Sequence, residues 1–150
     1  MKATFAAGCF WHVEDLFRKV KGVSSVTSGY TGGTMPSPSY QDVCTDRTGH
    51  AEAVQVEYDP EQVSYDELLK VFWENHNPTT LNRQGPDIGT QYRSAVFYHD
   101  AEQEKTAKES MKNLQESMPE NKVVTEITPA KEFFKAEEYH QRYFEKQGLI

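Results

Sequence analysis

Apolar positions along this chain fall into two rhythms, one of period two and one of three to four. Lys2 to Ala7 is a short apolar run ending at Gly8, which predicts a strand and a tight turn into a helix. Val13, Leu16, Phe17 and Val20 recur at the spacing of one helical face, and Gly22 stands where that helix would stop, so Cys9 falls at the helix N-terminus. Val23 to Gly33 predicts a strand closed by a Gly-Gly turn. The TMPSPSY that follows predicts a loop carrying Tyr40, because its two prolines oppose regular structure. From Glu52 to Tyr58, Val54, Val56 and Tyr58 alternate with Gln55 and Glu57, the pattern of a strand with one buried face.

Ser64 and Glu67 form a capping box, with Val63 able to pack on Leu68, so a second helix starts at about Tyr65 and presents Leu68, Leu69, Phe72 and Trp73. Asn75 to Gln91, with two prolines and two glycines, predicts a long structured loop. Arg93 to Tyr98 resumes as a strand, and Asp100 caps a third helix that keeps Ala107, Met111, Leu114 and Met118 in phase until Pro119. Val123 to Ile127 predicts a last strand. The remainder mixes aromatics with charge, as a segment wrapping the surface would, with a short helix near Glu137 to Lys146. Strands and helices intermingled in this order make an α+β protein, with a sheet carrying helices on one side.

At 150 residues, 37% hydrophobic and 26% charged, the chain has the size and composition of one globular domain, residues 1–150. A formal charge of -7 argues against general binding to nucleic acid or to anionic membrane. The first ten residues are too weakly apolar for a secretion signal, and a cytoplasmic location is expected. Two cysteines, Cys9 and Cys44, 35 positions apart and with no secretory context, argue against a disulfide framework. The five histidines have no ligand spacing, so no metal is expected, and the glycines match no phosphate-binding fingerprint.

A thiol at a helix start faces unpaired N–H groups and the positive end of the macrodipole, which favour its anion, so Cys9 is a candidate nucleophile with a lowered pKa. The bland alternative is a small buried apolar residue. Phe10 and Trp11 point about 100° apart on a helix, so they cannot both join the buried stripe and could frame an apolar niche beside the thiol. Glu52 is in phase with Val54 and Val56, on the buried side of its strand. A carboxyl there is pushed toward its neutral form, as a general acid requires, unless it lies at a frayed, hydrated strand start. Tyr40 and Tyr92 each offer a phenolic donor, and Asp87 suits either a turn or a substrate amine.

Three motifs, Gly8-Cys9-Phe10-Trp11, Thr48-Gly49-His50-Ala51-Glu52 and Gly89-Thr90-Gln91-Tyr92-Arg93-Ser94, resemble in order the signature of the A-type peptide methionine sulfoxide reductases. Asn82-Arg83-Gln84-Gly85 and Glu138-Tyr139-His140-Gln141 extend the likeness over nearly the whole chain. The resemblance implies a two-layer α/β sandwich of ferredoxin-like type. It implies protein repair by reduction of the S epimer of methionine sulfoxide, free or in oxidised proteins, in a monomer with no metal or organic cofactor. It makes Cys9 the nucleophile, Glu52 the proton donor, Tyr40 and Tyr92 the hydroxyls that hold the sulfoxide oxygen, Phe10 and Trp11 the methyl pocket, and Asp87 the ligand of the substrate's backbone nitrogen. Many relatives regenerate the sulfenic acid with a cysteine in a Gly-rich C-terminal tail, whereas no cysteine follows Cys44 here. Cys44 reads as a structural residue, and recycling is expected from an external thiol, glutaredoxin, thioredoxin or glutathione. A thiol peroxidase is the alternative within thiol chemistry, and a non-catalytic methionine-binding domain the alternative outside it.

Overall fold

In a computed structural model that describes residues 1–148, both rhythms become one sheet and the helices laid on it. The chain runs β1 (Lys2–Ala7), α1 (Phe10–Arg18), β2 (Val23–Thr31), α2 (Tyr40–Cys44), β3 (Ala51–Tyr58) and α3 (Tyr65–Glu74). It continues through the two-residue strands β4 (Arg83–Gln84) and β5 (Asp87–Ile88), a 3-10 turn at Thr90–Tyr92, β6 (Ser94–Tyr98) and α4 (Ala101–Ser117). It ends with β7 (Glu126–Pro129), β8 (Phe134–Lys135), a second 3-10 turn at Glu138–His140, and α5 (Tyr143–Lys146).

The sheet has six strands in the order β7-β6-β1-β3-β2-β8. β6 and β7 are parallel and the other neighbours antiparallel, so the sheet is mixed. In this register Phe5 lies between Val54 and Val96, and strand alternation sends all three side chains to one face. Helices cover that face: Phe5 stacks on Phe17 of α1 (centroids 4.9 Å) and on Phe72 of α3 (5.3 Å), and Val13, Leu68, Leu69 and Ala107 close the same core. The opposite face is built from Ala6, Ala51, Ala53, Ala95 and Phe97, small enough for the C-terminal segment to lie against it through Ala130 and Phe133. Gly29 shows how close that approach is, since a Cβ there would meet the Phe133 ring at 2.4 Å.

The expected capping box at Ser64 and Glu67 is present, and Asp100 accepts the Gln103 N–H at the start of α4. Four segments differ from expectation. Tyr40 opens a helix instead of lying in a loop, because Ser39 and Asp42 form a second capping box directly after the prolines. The long loop contains the β4–β5 ladder and the first 3-10 turn. The last long strand begins at Glu126 and not at Val123, since the Val123 and Val124 N–H groups donate to Gln115 Oε1 and Pro78 O, both at 2.8 Å, and not to β6. The helix expected near Glu137–Lys146 is a 3-10 turn and a short α5, divided at Arg142, which sits at φ +51. Among the described residues no helix is long and apolar enough to cross a membrane.

Candidate functional site

β1 delivers the chain to the site through Gly8, whose φ of +96 only glycine adopts freely and whose missing Cβ would lie 2.9 Å from Gln84 of β4. Cys9 follows as the N-cap residue of α1, with the backbone N–H groups of Trp11 and His12 near enough to its sulfur to favour a thiolate. They do not prevail. Burial is the largest influence, and with the charges of Glu52 and Asp87 it pushes the thiol up to about 12. The lowered pKa expected from the helix start is therefore reversed: the helix end acts on a partly buried sulfur that also feels two carboxyls.

Glu52 enters β3 opposite Tyr30 and is 1% exposed. Its Oε1 accepts the Phe10 backbone N–H at 3.3 Å, which seats the carboxyl at the same helix start as Cys9. Its Oε2 has no hydrogen-bond partner. Burial pushes this carboxyl up to about 7; the Phe10 N–H and the Gln91 side chain hold it down, and the Asp87 charge adds to the rise. Its phase in the strand, visible in the sequence, accounts for this environment.

Tyr92 ends the first 3-10 turn, half-buried, and is pushed up to about 12 by burial, then by the charges of Glu52 and Asp87, with smaller effects from Cys44 and Cys9. Tyr40 is raised further, by burial first and then by its hydroxyl's contact with Cys44. Both phenols are thus neutral donors at any physiological pH. Asp87, half-buried in β5, is felt by Cys9, Glu52 and Tyr92 alike. Cys9, Glu52, Tyr92 and Asp87 therefore share one neighbourhood.

The aromatic residues are arranged less simply. Phe10 is wholly buried, between Tyr30 (5.7 Å) and His140 (5.1 Å), and belongs to the core. Trp11 is half-buried: its indole N–H donates to His140 Nδ1 at 3.0 Å and its ring stacks on Tyr143 at 3.8 Å. The Tyr40 ring also lies on His140, at 4.5 Å. His140 thus joins Phe10, Trp11 and Tyr40 into one aromatic wall. Because Nδ1 accepts, the ring proton resides on Nε2, a buried atom without a partner. Glu137 fixes the wall from behind, accepting the Tyr30 hydroxyl at 2.9 Å and the Tyr40 backbone N–H at 3.0 Å.

Sequence reasoning pointed to no role for His140, Glu137, Tyr143 or Gln91. The first three come from the C-terminal segment, about 90 to 130 residues from their partners in the chain, and no local period reports such a contact. Cys44, which the sequence reads as structural, ends α2 exposed, with Sγ accepting the Gln91 amide N–H at 3.5 Å. A surface groove of about 440 Å³ beside Tyr98, His99 and Glu104 holds none of these groups.

The family model described as peptide methionine sulfoxide reductase matches residues 1–149. A peptide methionine sulfoxide reductase MsrA of Methanothermobacter thermautotrophicus is 60% identical over 97% of this chain and 86% of its own length. Peptide methionine sulfoxide reductase A2 of Arabidopsis thaliana is 55% identical over 98% of this chain and 67% of its own. Among solved structures, reduced Mxr1 of Saccharomyces cerevisiae superposes with a TM-score of 0.93 at 39% identity, covering 100% of this chain and 87% of that one. Methionine sulfoxide reductase A of Corynebacterium diphtheriae gives 0.91 at 38% identity, covering 99% and 76%. Mxr1 in complex with Trx2 is similar at a TM-score of 0.69 and 29% identity, covering 95% and 84%.

Proposed function

The chain belongs to the peptide methionine sulfoxide reductases, and on that premise we propose that it reduces the S epimer of methionine sulfoxide, free or in oxidised proteins, with Cys9 as nucleophile and Glu52 as proton carrier. One observation carries the reading. The Phe10 N–H bond to Glu52 Oε1 holds a buried carboxyl, pushed up to about 7 by burial, next to the residue that bears the thiol.

The two pKa values say where the proton starts. With Cys9 at about 12 and Glu52 at about 7, a pair holding one proton keeps it on sulfur. Sulfoxide sulfur is a poor electrophile until its oxygen is protonated or strongly hydrogen-bonded. The proton must therefore pass from Cys9 to Glu52 and on to the oxygen as the S–S contact forms, which generates the nucleophile and activates the electrophile together. Tyr40 and Tyr92, both neutral, donate to that oxygen. As it transfers to Cys9, methionine leaves and Cys9 becomes a sulfenic acid, with the former thiol proton on its oxygen.

Trp11, on its His140 and Tyr143 support, forms the methyl-binding wall, backed by Phe10, and Asp87 takes the substrate's backbone nitrogen. An external thiol of thioredoxin, glutaredoxin or glutathione type then attacks the sulfenic sulfur, releasing water, and a second thiol frees Cys9. The Trx2 complex of the yeast relative favours the thioredoxin type. A monomer and a cytoplasmic location complete the proposal. The deciding experiment incubates the separate S and R epimers with dithiothreitol. Methionine from the S epimer alone, lost in Cys9→Ser, is expected; equal use of both epimers or an active Cys9→Ser chain overturns the reading.

A further inference from the structure

Gln91 has no part in the reaction as written, yet its side chain is buried beside Glu52. It is 4% exposed and springs from a clamped turn. Asp46 accepts the Thr90 backbone N–H at 2.8 Å and also its hydroxyl, Gly89 N–H donates to Asn82 O at 2.9 Å, and the Arg93 guanidinium donates to Thr90 O at 2.9 Å. From this fixed base the amide lies between two groups. On one side Nε2 donates to Cys44 Sγ at 3.5 Å, a weak bond to a soft acceptor. On the other side is Glu52, in the strand β3 that packs against this turn: its carboxyl lies close enough to the Gln91 side chain to be held down by it, while Oε2 is buried without a hydrogen-bond partner.

We infer that Gln91 is the positioning residue for Glu52: its amide is held loosely by Cys44 and turns onto Oε2 whenever the carboxyl is ionised. The inference rests on the reading of Glu52 as proton carrier. A carboxylate that is to take the Cys9 proton must first exist in a buried site, where an anion without donors is expensive. Phe10 N–H serves Oε1, and the Gln91 amide is the donor in place for Oε2. A thiol suits the other end because it gives up the amide at small cost. The remaining polar groups around the carboxyl do not replace it: Asp87 repels the anion from β5, and Tyr40 and Tyr92 are reserved for the substrate oxygen.

Removing the amide should therefore make Glu52 ionise at higher pH, and removing its competitor should do the reverse. The test titrates the Glu52 carboxyl carbon by NMR in protein labelled with 13C-glutamate, assigned by its loss in Glu52→Gln. Gln91→Met, of similar length but without a donor, should raise the midpoint by about one pH unit. Gln91→Asn, one methylene short, should shift it in the same direction and guards against a folding defect in the first variant. Cys44→Ala, at an exposed residue, should lower it. The pH at which single-turnover reduction reaches its plateau should move with the midpoint, which a packing role would not produce. Unmoved midpoints in all three variants overturn the inference. Because the titration needs no turnover, that failure is distinguishable from failure of the reductase reading.

Discussion

Glu52→Gln should slow the enzyme and strengthen the fold, and the structure sets the size of both effects. The carboxyl is raised from an ordinary 4.5 to about 7. Below about 4.5 it is neutral in the folded and unfolded chains alike and costs nothing. Between about 4.5 and 7 the unfolded chain ionises first, so the folded state loses stability as pH rises; above about 7 the loss is complete. The interval is about 2.5 pH units, and each unit is worth about 1.4 kcal/mol, giving about 3 kcal/mol. Glutamine keeps the shape and an acceptor for the Phe10 N–H and carries no charge. At pH 8 the variant should therefore be more stable by about 3 kcal/mol, or about 6–12 °C in Tm for a chain of this size, and at pH 5 by less than about 1 kcal/mol. Turnover should fall by about 10²-fold or more, because the proton path is gone. Urea unfolding followed by circular dichroism at the two pH values measures the first effect and a dithiothreitol-coupled assay the second. A variant no more stable than its parent at pH 8, or one of undiminished activity, refutes the claim that a buried, ionisable Glu52 is kept for chemistry at the expense of stability.

The proton inventory also fixes a pH profile: single-turnover reduction should rise about tenfold per unit below about 7, where Glu52 ionises, and level off above it, whereas a rate falling through pH 7 contradicts the relay. Tyr92→Phe removes one of two phenolic donors to the sulfoxide oxygen and should cost about tenfold in kcat/KM, about 1.4 kcal/mol, with the fold intact by circular dichroism; an unchanged kcat/KM removes Tyr92 from the site. Trp11→Phe leaves His140 Nδ1 without its donor and weakens the stack on Tyr143. It should cost about 2 kcal/mol of stability and raise KM for the sulfoxide, and a normal KM contradicts the assignment of Trp11 to the methyl-binding wall.

What could be read in the sequence was whatever is local. The phase of Glu52 with Val54 and Val56 put a carboxyl on the buried face, and Gly8 before an apolar three-and-four stripe put Cys9 at a helix start; the structure has both. The ionisation of Cys9 was misjudged because the helix end is a local feature, while burial and the nearby Glu52 and Asp87 charges are not. Tyr40 is the opposite case, since its structure follows from a local signal: Ser39 and Asp42 cap a helix immediately after the two prolines, and the cap prevails over the breakers before it. The support of Trp11 by His140 and of Tyr40 by Glu137 depends on the C-terminal segment folding back across the sheet edge beside β8 and over α1. Such tertiary contacts leave no period in the chain.

The central claim is that a shared proton between Cys9 and Glu52 lets this chain take oxygen from a sulfoxide before any reductant arrives. Mixing the reduced protein with the S sulfoxide in the absence of other thiols, and following methionine together with the oxidation state of each cysteine by mass spectrometry, tests it directly. One methionine per chain, with sulfenic acid on Cys9 and a free Cys44 thiol, is the outcome this mechanism requires. No methionine, or methionine in equal yield from Cys9→Ser, would contradict it.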